Sequence, residues 1–417
     1  MSWQVTVAHA KLRLMTEPAP QPETEDRHAS WLELFFDLVV VVAVNQLAHL
    51  LHGDAHHGPD AQAIVTFFTL YLTIWLLWTT FTLYSNVVAD KVHLRAMFFG
   101  MAGIATMAAA VPHSMDGRAN LFAAAYLITN GLGTGTLMRS GRVLLSWTAA
   151  SQNVGLVPWI VSFWVDDPWW KLGLWLFGLA LTLWSSIFAS RGDQDELLAK
   201  MNEAVARRSR RAERRRPWRQ SGQPPLVAAQ VDAGHLGERL GLFVIIVLGE
   251  AMLQLVGAAA EIEDWRPGGG SGWLLLLAVV SGFVLLITLW GLNVRYGFAE
   301  ESRFPPALVL PAHFVVVAAV TTVAAGLGSV ATGYDEHLAT STTWLLCGGV
   351  SAFLLIVNLL VAHHRRWPLR ALAVALPLGV APLAGFVPAA VVAAVVAVAA
   401  AGQLWLLYAT RPIPSGA

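Results

Sequence analysis

Trp31-Leu-Glu33-Leu-Phe-Phe-Asp37-Leu-Val-Val-Val-Val-Ala-Val-Asn45-Gln46-Leu47-Ala-His49-Leu50 is apolar enough to cross a bilayer, yet it carries acids, amides and a histidine. A helix needs about 20 such residues to span roughly 30 Å of hydrocarbon, so the stretch reads as one membrane helix. Ionisable side chains in hydrocarbon are costly unless they face a partner or a watery cavity, which makes each a functional candidate. A second stretch, Glu238-Arg-Leu240-Gly-Leu-Phe243-Val-Ile-Ile-Val-Leu-Gly-Glu250-Ala-Met252-Leu-Gln254, echoes the first. Laid over each other without gaps, the two set Glu33 on Glu238, Asn45 on Glu250, Leu47 on Met252 and His49 on Gln254. Internal duplication is the simplest reading.

Composition agrees with a multi-span membrane protein. The chain is 56% hydrophobic and 13% charged, against about a quarter charged in ordinary soluble domains. Equal numbers of basic and acidic residues, 27 each, argue against a nucleic-acid partner. The lone Cys347 excludes an internal disulfide and reads as a packing residue. The first thirty residues are polar and lack an apolar core, so no cleaved signal is expected and the first span is expected to target the chain.

Laying the same ruler along the chain predicts an all-α, polytopic fold of about twelve spans. Six lie near 32–51, 61–83, 93–111, 119–137, 143–164 and 172–190, and six near 240–259, 272–292, 307–330, 342–362, 369–386 and 388–409. With the N-terminus inside, 24 of the 27 Lys and Arg residues fall on cytoplasmic segments, the 191–239 stretch included; only Arg118, Lys171 and Arg266 fall outside. Both termini are then cytoplasmic, in the cell membrane. Six spans followed by six make two parallel repeats about an axis along the membrane normal. Trp78 and Tyr84 recur, with the same spacing, as Trp290 and Tyr296. Their offset is slightly larger than that of the preceding helix, and the longer loop holding Pro267-Gly-Gly-Gly-Ser271 absorbs the difference. The expected organisation is a polar tail (1–30), a first membrane half (31–190), an Arg-rich cytoplasmic linker (191–234), a second half (235–410) and a short tail (411–417).

The linker carries Arg207, Arg208, Arg210, Arg211, Arg214, Arg215 and Arg216. Such a run can attract anionic lipid headgroups, or act only as a topology-fixing spacer.

In its two polar stripes the chain resembles a known family, bacterial low temperature requirement protein A. The resemblance rests on Trp31-Leu-Glu-Leu-Phe-Phe-Asp-Leu-Val and on Glu238 through Glu250, and spacing and hydropathy extend it over roughly residues 28–410. It implies a multi-pass membrane protein associated with growth in the cold, and no settled molecular activity.

Helical geometry places the polar groups. Each residue advances about 100° round the helix, so from Glu33 the side chains of Asp37, Asn45 and His49 follow in that order within half a turn. Glu250 and Gln254 hold, relative to Glu238, the angles that Asn45 and His49 hold relative to Glu33. Each helix thus bears one slanting polar stripe. Glu250 sits near the midplane, whereas Glu33 and Glu238 are expected to be hydrated at the cytoplasmic border. Glu250 and Asp37 are the leading proton or cation sites; Asn45, Gln46, His49 and Gln254 read as hydrogen-bonding neighbours. His313 and Arg295 are candidate partners of the carboxylates, although a border charge suits Arg295 as well. The alternative for the whole set is that it fastens helices together.

Weaker features complete the reading. His52-Gly-Asp54-Ala-His56-His57 has ligand-type residues but no second cluster, so no metal and no cofactor are expected. Gly131 and Gly135 fit close helix packing. Trp164, Trp169, Trp170 and Trp265 suit an interfacial belt. No His-Glu-x-x-His, Ser-His-Asp or cysteine grouping points to an enzyme. The expected function is a secondary transporter of an unknown small solute or ion, using a midplane carboxylate as its proton or cation site. The alternatives are a non-transporting assembly, sensor or lipid-interacting protein and, last, an intramembrane enzyme.

Overall fold

Apolar runs bounded by capping side chains become helices here. In a computed structural model, which describes residues 28–52, 57–89, 92–144, 153–191, 194–215, 225–262, 272–298, 306–361 and 367–409, Ser30 opens α1 (Trp31–Leu50) through a reciprocal capping box with Glu33. Asp60 caps α2 (Ala61–Val88), and Asp232 caps the helix over Ala233–Ala260. The first part of the chain continues through α3 (Leu94–Ala110), α4 (Ala119–Arg139), β1 (Arg142–Val143), α5 (Leu156–Val161) and α6 (Pro168–Arg191). The linker holds α7 (Gln194–Arg215) and β2 (Val227–Ala228). The second part comprises α8 (Ala233–Ala260), α9 (Gly272–Tyr296), α10 (Pro306–Thr332), α11 (Thr340–Leu360), α12 (Trp367–Val380) and α13 (Ala389–Ala409).

Among the described residues, 11 helices are long and apolar enough to cross a membrane: α1 to α4, α6 and α8 to α13, with α3 and α12 extended by their following 3-10 turns. The chain is a polytopic helical membrane protein. The remaining expected span, the fifth at 143–164, falls in part on 145–152, outside the described residues; the rest of it holds the strand residue Val143, the short helix α5 and a turn over Ser162–Trp164. The N-terminal tail to residue 27, the Pro267–Ser271 loop, Trp265, and Asp54 and His56 of the histidine loop also lie outside them.

Two boundaries differ from expectation, and both matter. The helix expected to begin at 240 begins at Ala233, and the one expected to end at 83 runs to Val88. Hydropathy stops a span where polar and charged residues begin, but Ser85 and Asn86 at one boundary, and His235 and Arg239 at the other, are buried against partners.

The core is built around α1, α2, α8 and α10. α2 is buried along most of its length from Thr66 onward despite its threonines. Several of their hydroxyls are satisfied within the helix: Thr69 donates to Val65 O, Thr73 to Thr69 O and Thr80 to Leu76 O. α1 packs on α2 and α3 in its own half and on α8 and α10 across the centre; α2 also meets α8 and α10. Small residues let α10 and α11 approach closely, since a Cβ at Gly326 would stand 2.8 Å from Leu346 Cβ. By contrast, Gly131 and Gly135 have no neighbour among the described residues within 4 Å of where a Cβ would stand, so no described helix packs on them; Gly133 lies beside Phe81. Trp164, Trp169 and Trp170 are exposed, as a belt requires.

The linker is folded. Leu197, Leu198, Met201 and Val205 of α7 pack with Val143 and Leu226 into a small separate core. β2 pairs in parallel with β1, and Asn202 brackets Leu226 by bonding both its N–H and its carbonyl.

Candidate functional site

Two carboxylates one helical turn apart on α1 face two basic side chains one turn apart on α8. Positions i and i+4 lie on one helix face, so Glu33 and Asp37 form a pair of teeth that meets His235 and Arg239. Arg239 donates from Nε to Asp37 Oδ2 at 3.2 Å and from Nη2 to Oδ1 at 2.9 Å, a forked contact. Its Nη1 donates to Ser85 Oγ at 2.7 Å and lies 3.5 Å from Glu33 Oε1. Trp78 Nε1 donates to Asp37 Oδ1 at 2.7 Å. All five side chains are buried.

His235 joins the network at its other end. The Asn86 amide is oriented by Asp232, whose backbone N–H donates to Oδ1 and whose carbonyl accepts from Nδ2. Nδ2 also stands 3.1 Å from His235 Nδ1. Because that nitrogen faces a donor it acts as acceptor, which leaves Nε2 to carry the ring proton towards Glu33 Oε2, 3.4 Å away. Glu33 accepts from Ser30 as well, so one carboxylate both caps α1 and ties it to α8. Beside the network, His313 of α10 stacks on Trp78 at 4.9 Å between ring centroids and is walled by Phe243 and Phe298; Trp75 Nε1 donates to its Nδ1.

Eleven residues farther along α8, about 16 Å at 1.5 Å per residue, lies Glu250. Its Oε1 accepts from Asn45 Nδ2 of α1 and, at 3.2 Å, from Gln254 Nε2. Asn45 and Gln254 line a cavity of about 450 Å³ with His49, His52, Glu261, Ser329 and Thr332. The cavity opens at the membrane face where α1, α8 and α10 end. His52, just beyond α1, is held below the usual imidazole range by burial, with His49 adding to the effect and a contact to Ala48 O opposing it. Among the described residues, no three His, Cys, Asp or Glu side chains are grouped to hold a metal.

The family model for bacterial low temperature requirement A protein matches residues 28–404, which takes in both stripes and every helix described above except the last turn of α13. The chain belongs to this family. It is also 26% identical over 296 residues to an uncharacterised protein of Rhizobium meliloti strain 1021, a match covering 66% of this chain and 60% of that one. The chain thus spans less than two thirds of that relative. No solved structure matches.

For this low temperature requirement A protein, the site residues of the sequence reading divide into two groups. Glu33 and Asp37 fall in the charge network. Asn45, His49, Gln254 and Glu250 fall at or beside the cavity, and Asn45 and Glu250, which the ungapped overlay of the two stripes pairs, touch each other. Two expectations need correction. Glu33 is buried, 1% exposed, rather than hydrated, because Arg239 and His235 replace its water. Glu238, by contrast, stays partly exposed and meets the start of α1 through His28 and Ala29 N. Arg295 reaches no carboxylate among the described residues and lies over the Tyr408 ring instead. His313 reaches Asp37 through Trp78, against which both are set.

Sequence reasoning missed Arg239, His235, Ser85 and Asn86. Arg239 reads as a loop charge in the sequence although it is fully buried in α8. The matching i,i+4 spacing of Glu33/Asp37 and His235/Arg239 is the signal that could have found it.

Proposed function

We propose that this protein is a secondary transporter of the bacterial cytoplasmic membrane, coupled to protons or another cation, with Glu250 as the coupling site. The observation that carries this reading is a carboxylate about 15 Å from the nearer end of its helix, held by an amide from the other half and adjoining an open cavity. A carboxylate so placed can exchange a proton for a cation or a charged solute without the helices separating. The charge network seals the opposite end of the same helix pair, so this arrangement corresponds to a cavity open on one side and gated on the other. The gate is Asp37 and Glu33 on α1 against Arg239 and His235 on α8. Both termini face the cytoplasm in this reading.

Repeated helix neighbours support duplication as the source of the architecture. In the first half α1 meets α2 and α3, α3 meets α4, and α2 meets α6; in the second α8 meets α9 and α10, α10 meets α11, and α9 meets α13. The repeats have diverged at the centre, where Trp78 is buried on Asp37 while its counterpart Trp290 is 48% exposed. Anionic headgroups are the proposed partners of the linker arginines. Arg207 and Arg210 belong to α7, and Arg210 is exposed; the side chains of Arg208, Arg211, Arg214 and Arg215, and all of Arg216, lie outside the described residues.

Proteoliposomes with an entrapped pH dye, challenged with sodium, potassium and alkylammonium salts, test the reading. The wild type is expected to change internal pH with at least one salt, and Glu250→Gln to be silent. Equal traces from the two proteins overturn it. A second reading, a non-transporting membrane protein, is favoured by one observation: Asp37, Arg239 and Trp78 bond one another within the buried core, as helix fasteners do. Loss of thermal stability in Glu250→Gln, with no salt response in either protein, selects it.

A further inference from the structure

A second site lies on the outer surface of the bundle, at the opposite membrane face from the cavity. α9 and α13 run side by side, and both end at the same face, where Arg295 of α9 meets Tyr408 of α13. Between them is a groove of about 520 Å³, lined by Ile287, Trp290, Leu404 and Trp405 and closed at its end by Arg295 and Tyr408. From Ile287 to Arg295 is eight residues, about 12 Å of depth into the membrane. Apart from the guanidinium and the ring edges, the lining is hydrocarbon.

From this we infer that the groove binds one anionic diacyl phospholipid, its phosphate on Arg295 and an acyl chain laid along the α9–α13 seam. Three observations converge on that occupant. First, the groove faces away from the bundle on two helices that read as spans, so lipid is what surrounds it. Trp405 and Tyr408 are 64% and 61% exposed, and such amphipathic rings settle at headgroup level. Second, the single charge is a cation at the rim, and it forms no ion pair with an acid among the described residues. Third, the Tyr408 ring lies 5.5 Å from the guanidinium carbon, a cation–π contact that braces the side chain. A planar guanidinium fork matches phosphate oxygens bidentately, which a lysine or a neutral rim would not do. Gly291 keeps the floor open, since a Cβ there would already touch Leu404 at 3.4 Å.

Delipidated protein in detergent tests this by titration with phosphatidylglycerol, phosphatidylcholine or inorganic phosphate, read by thermal stability and by retained adducts in native mass spectrometry. Phosphatidylglycerol is expected to raise the melting temperature and leave a one-to-one adduct that weakens with added salt. Arg295→Gln is expected to lose about ten-fold in apparent affinity, the size of one charge-assisted contact. Gly291→Leu, which fills the floor but keeps the charge, is expected to lose the adduct too. Neither residue belongs to the buried core, and the lipid-free melting temperature of each variant checks its folding. Equal binding of the two lipids, equal affinity in Arg295→Gln, full stabilisation by phosphate alone, or a concentration-dependent dimer that buries Trp405 in place of lipid would each overturn the assignment.

Discussion

Arg239 grips Asp37 with two parallel contacts, 2.9 and 3.2 Å long, although the residues are 202 positions apart and come from opposite halves of the chain. The pair is inaccessible to solvent, so its value depends on both members being present. Asp37→Leu leaves a buried guanidinium with one acid fewer, and Arg239→Met leaves two buried carboxylates without their cation. Each single change is expected to cost about 3 to 5 kcal/mol. The double variant is expected to cost clearly less than the sum. A double-mutant cycle by denaturant unfolding in mixed micelles measures the difference, and strictly additive losses would show that the contact carries no coupling energy.

How far this network is legible in the sequence follows from what hydropathy measures. A transfer scale scores each residue as if it faced lipid, so it finds α8 from its apolar run but halts at Arg239. That halt moves the network's basic half into a loop and leaves Glu33 looking like a hydrated border charge. The burial of both depends on a partner helix from the other half of the chain, which no local window contains. Asn45 and Glu250 can be found because the ungapped overlay of the two polar stripes in the sequence already sets one on the other. Gly131 and Gly135 mislead for the converse reason: spacing shows that two small residues share a face, and only packing shows whether another helix lies against it.

Asn45 of α1 is tied to α8 through its side-chain amide, which donates to Glu250. Hydrogen bonds between membrane helices contribute about 0.6 to 2 kcal/mol. Asn45→Leu is therefore expected to lower stability by about 1 kcal/mol, well below the cost of breaking the Asp37–Arg239 pair, and to silence the salt-driven pH response if Glu250 needs that amide to be held at the cavity. Thermal unfolding and the dye assay read the two effects separately. A loss as large as that of Arg239→Met would place the main inter-half bond here instead.

The cavity should make stability fall in acid. His52 has its imidazole held below the usual value of 6.5, so on acidification the unfolded chain takes up that proton before the folded one does. Stability is complete above that value and declines as pH drops through it towards the folded value. Titration from about pH 8 to about pH 5 should give a wild-type slope that His52→Gln makes shallower. His49 and Glu261 line the same cavity and are present in both proteins, so the difference curve isolates His52. Parallel curves would refute the burial argument.

Two glycines separate helix propensity from packing. Glycine to alanine stabilises an open helical site by up to about 1 kcal/mol. Gly348 of α11 has no neighbour among the described residues within 4 Å of where a Cβ would stand, so Gly348→Ala should gain stability. Gly326 faces Leu346 across the α10–α11 seam, where a Cβ would stand at 2.8 Å, so Gly326→Ala should lose about 1 to 3 kcal/mol despite the same propensity gain. Differential unfolding of the two variants decides the matter, and a gain in both would mean that the seam is looser than its geometry.

A small core joins the linker helix α7 to β1 at the edge of the membrane part. Two ion pairs within the helix, Lys200–Glu196 and Arg207–Glu203, are exposed and four residues apart, a type worth little. Val205, buried against Val143 and Leu226, is the residue whose loss should free the helix. Val205→Asp places an unpaired carboxylate in that core, where burial without a partner is unfavourable. Limited trypsin treatment should then cut among the arginines from Arg207 onward far faster than in the wild type, while the melting temperature of the membrane helices stays unchanged. Unaltered cleavage would mean that the β1–β2 pairing and the Asn202 clamp on Leu226 hold the linker by themselves.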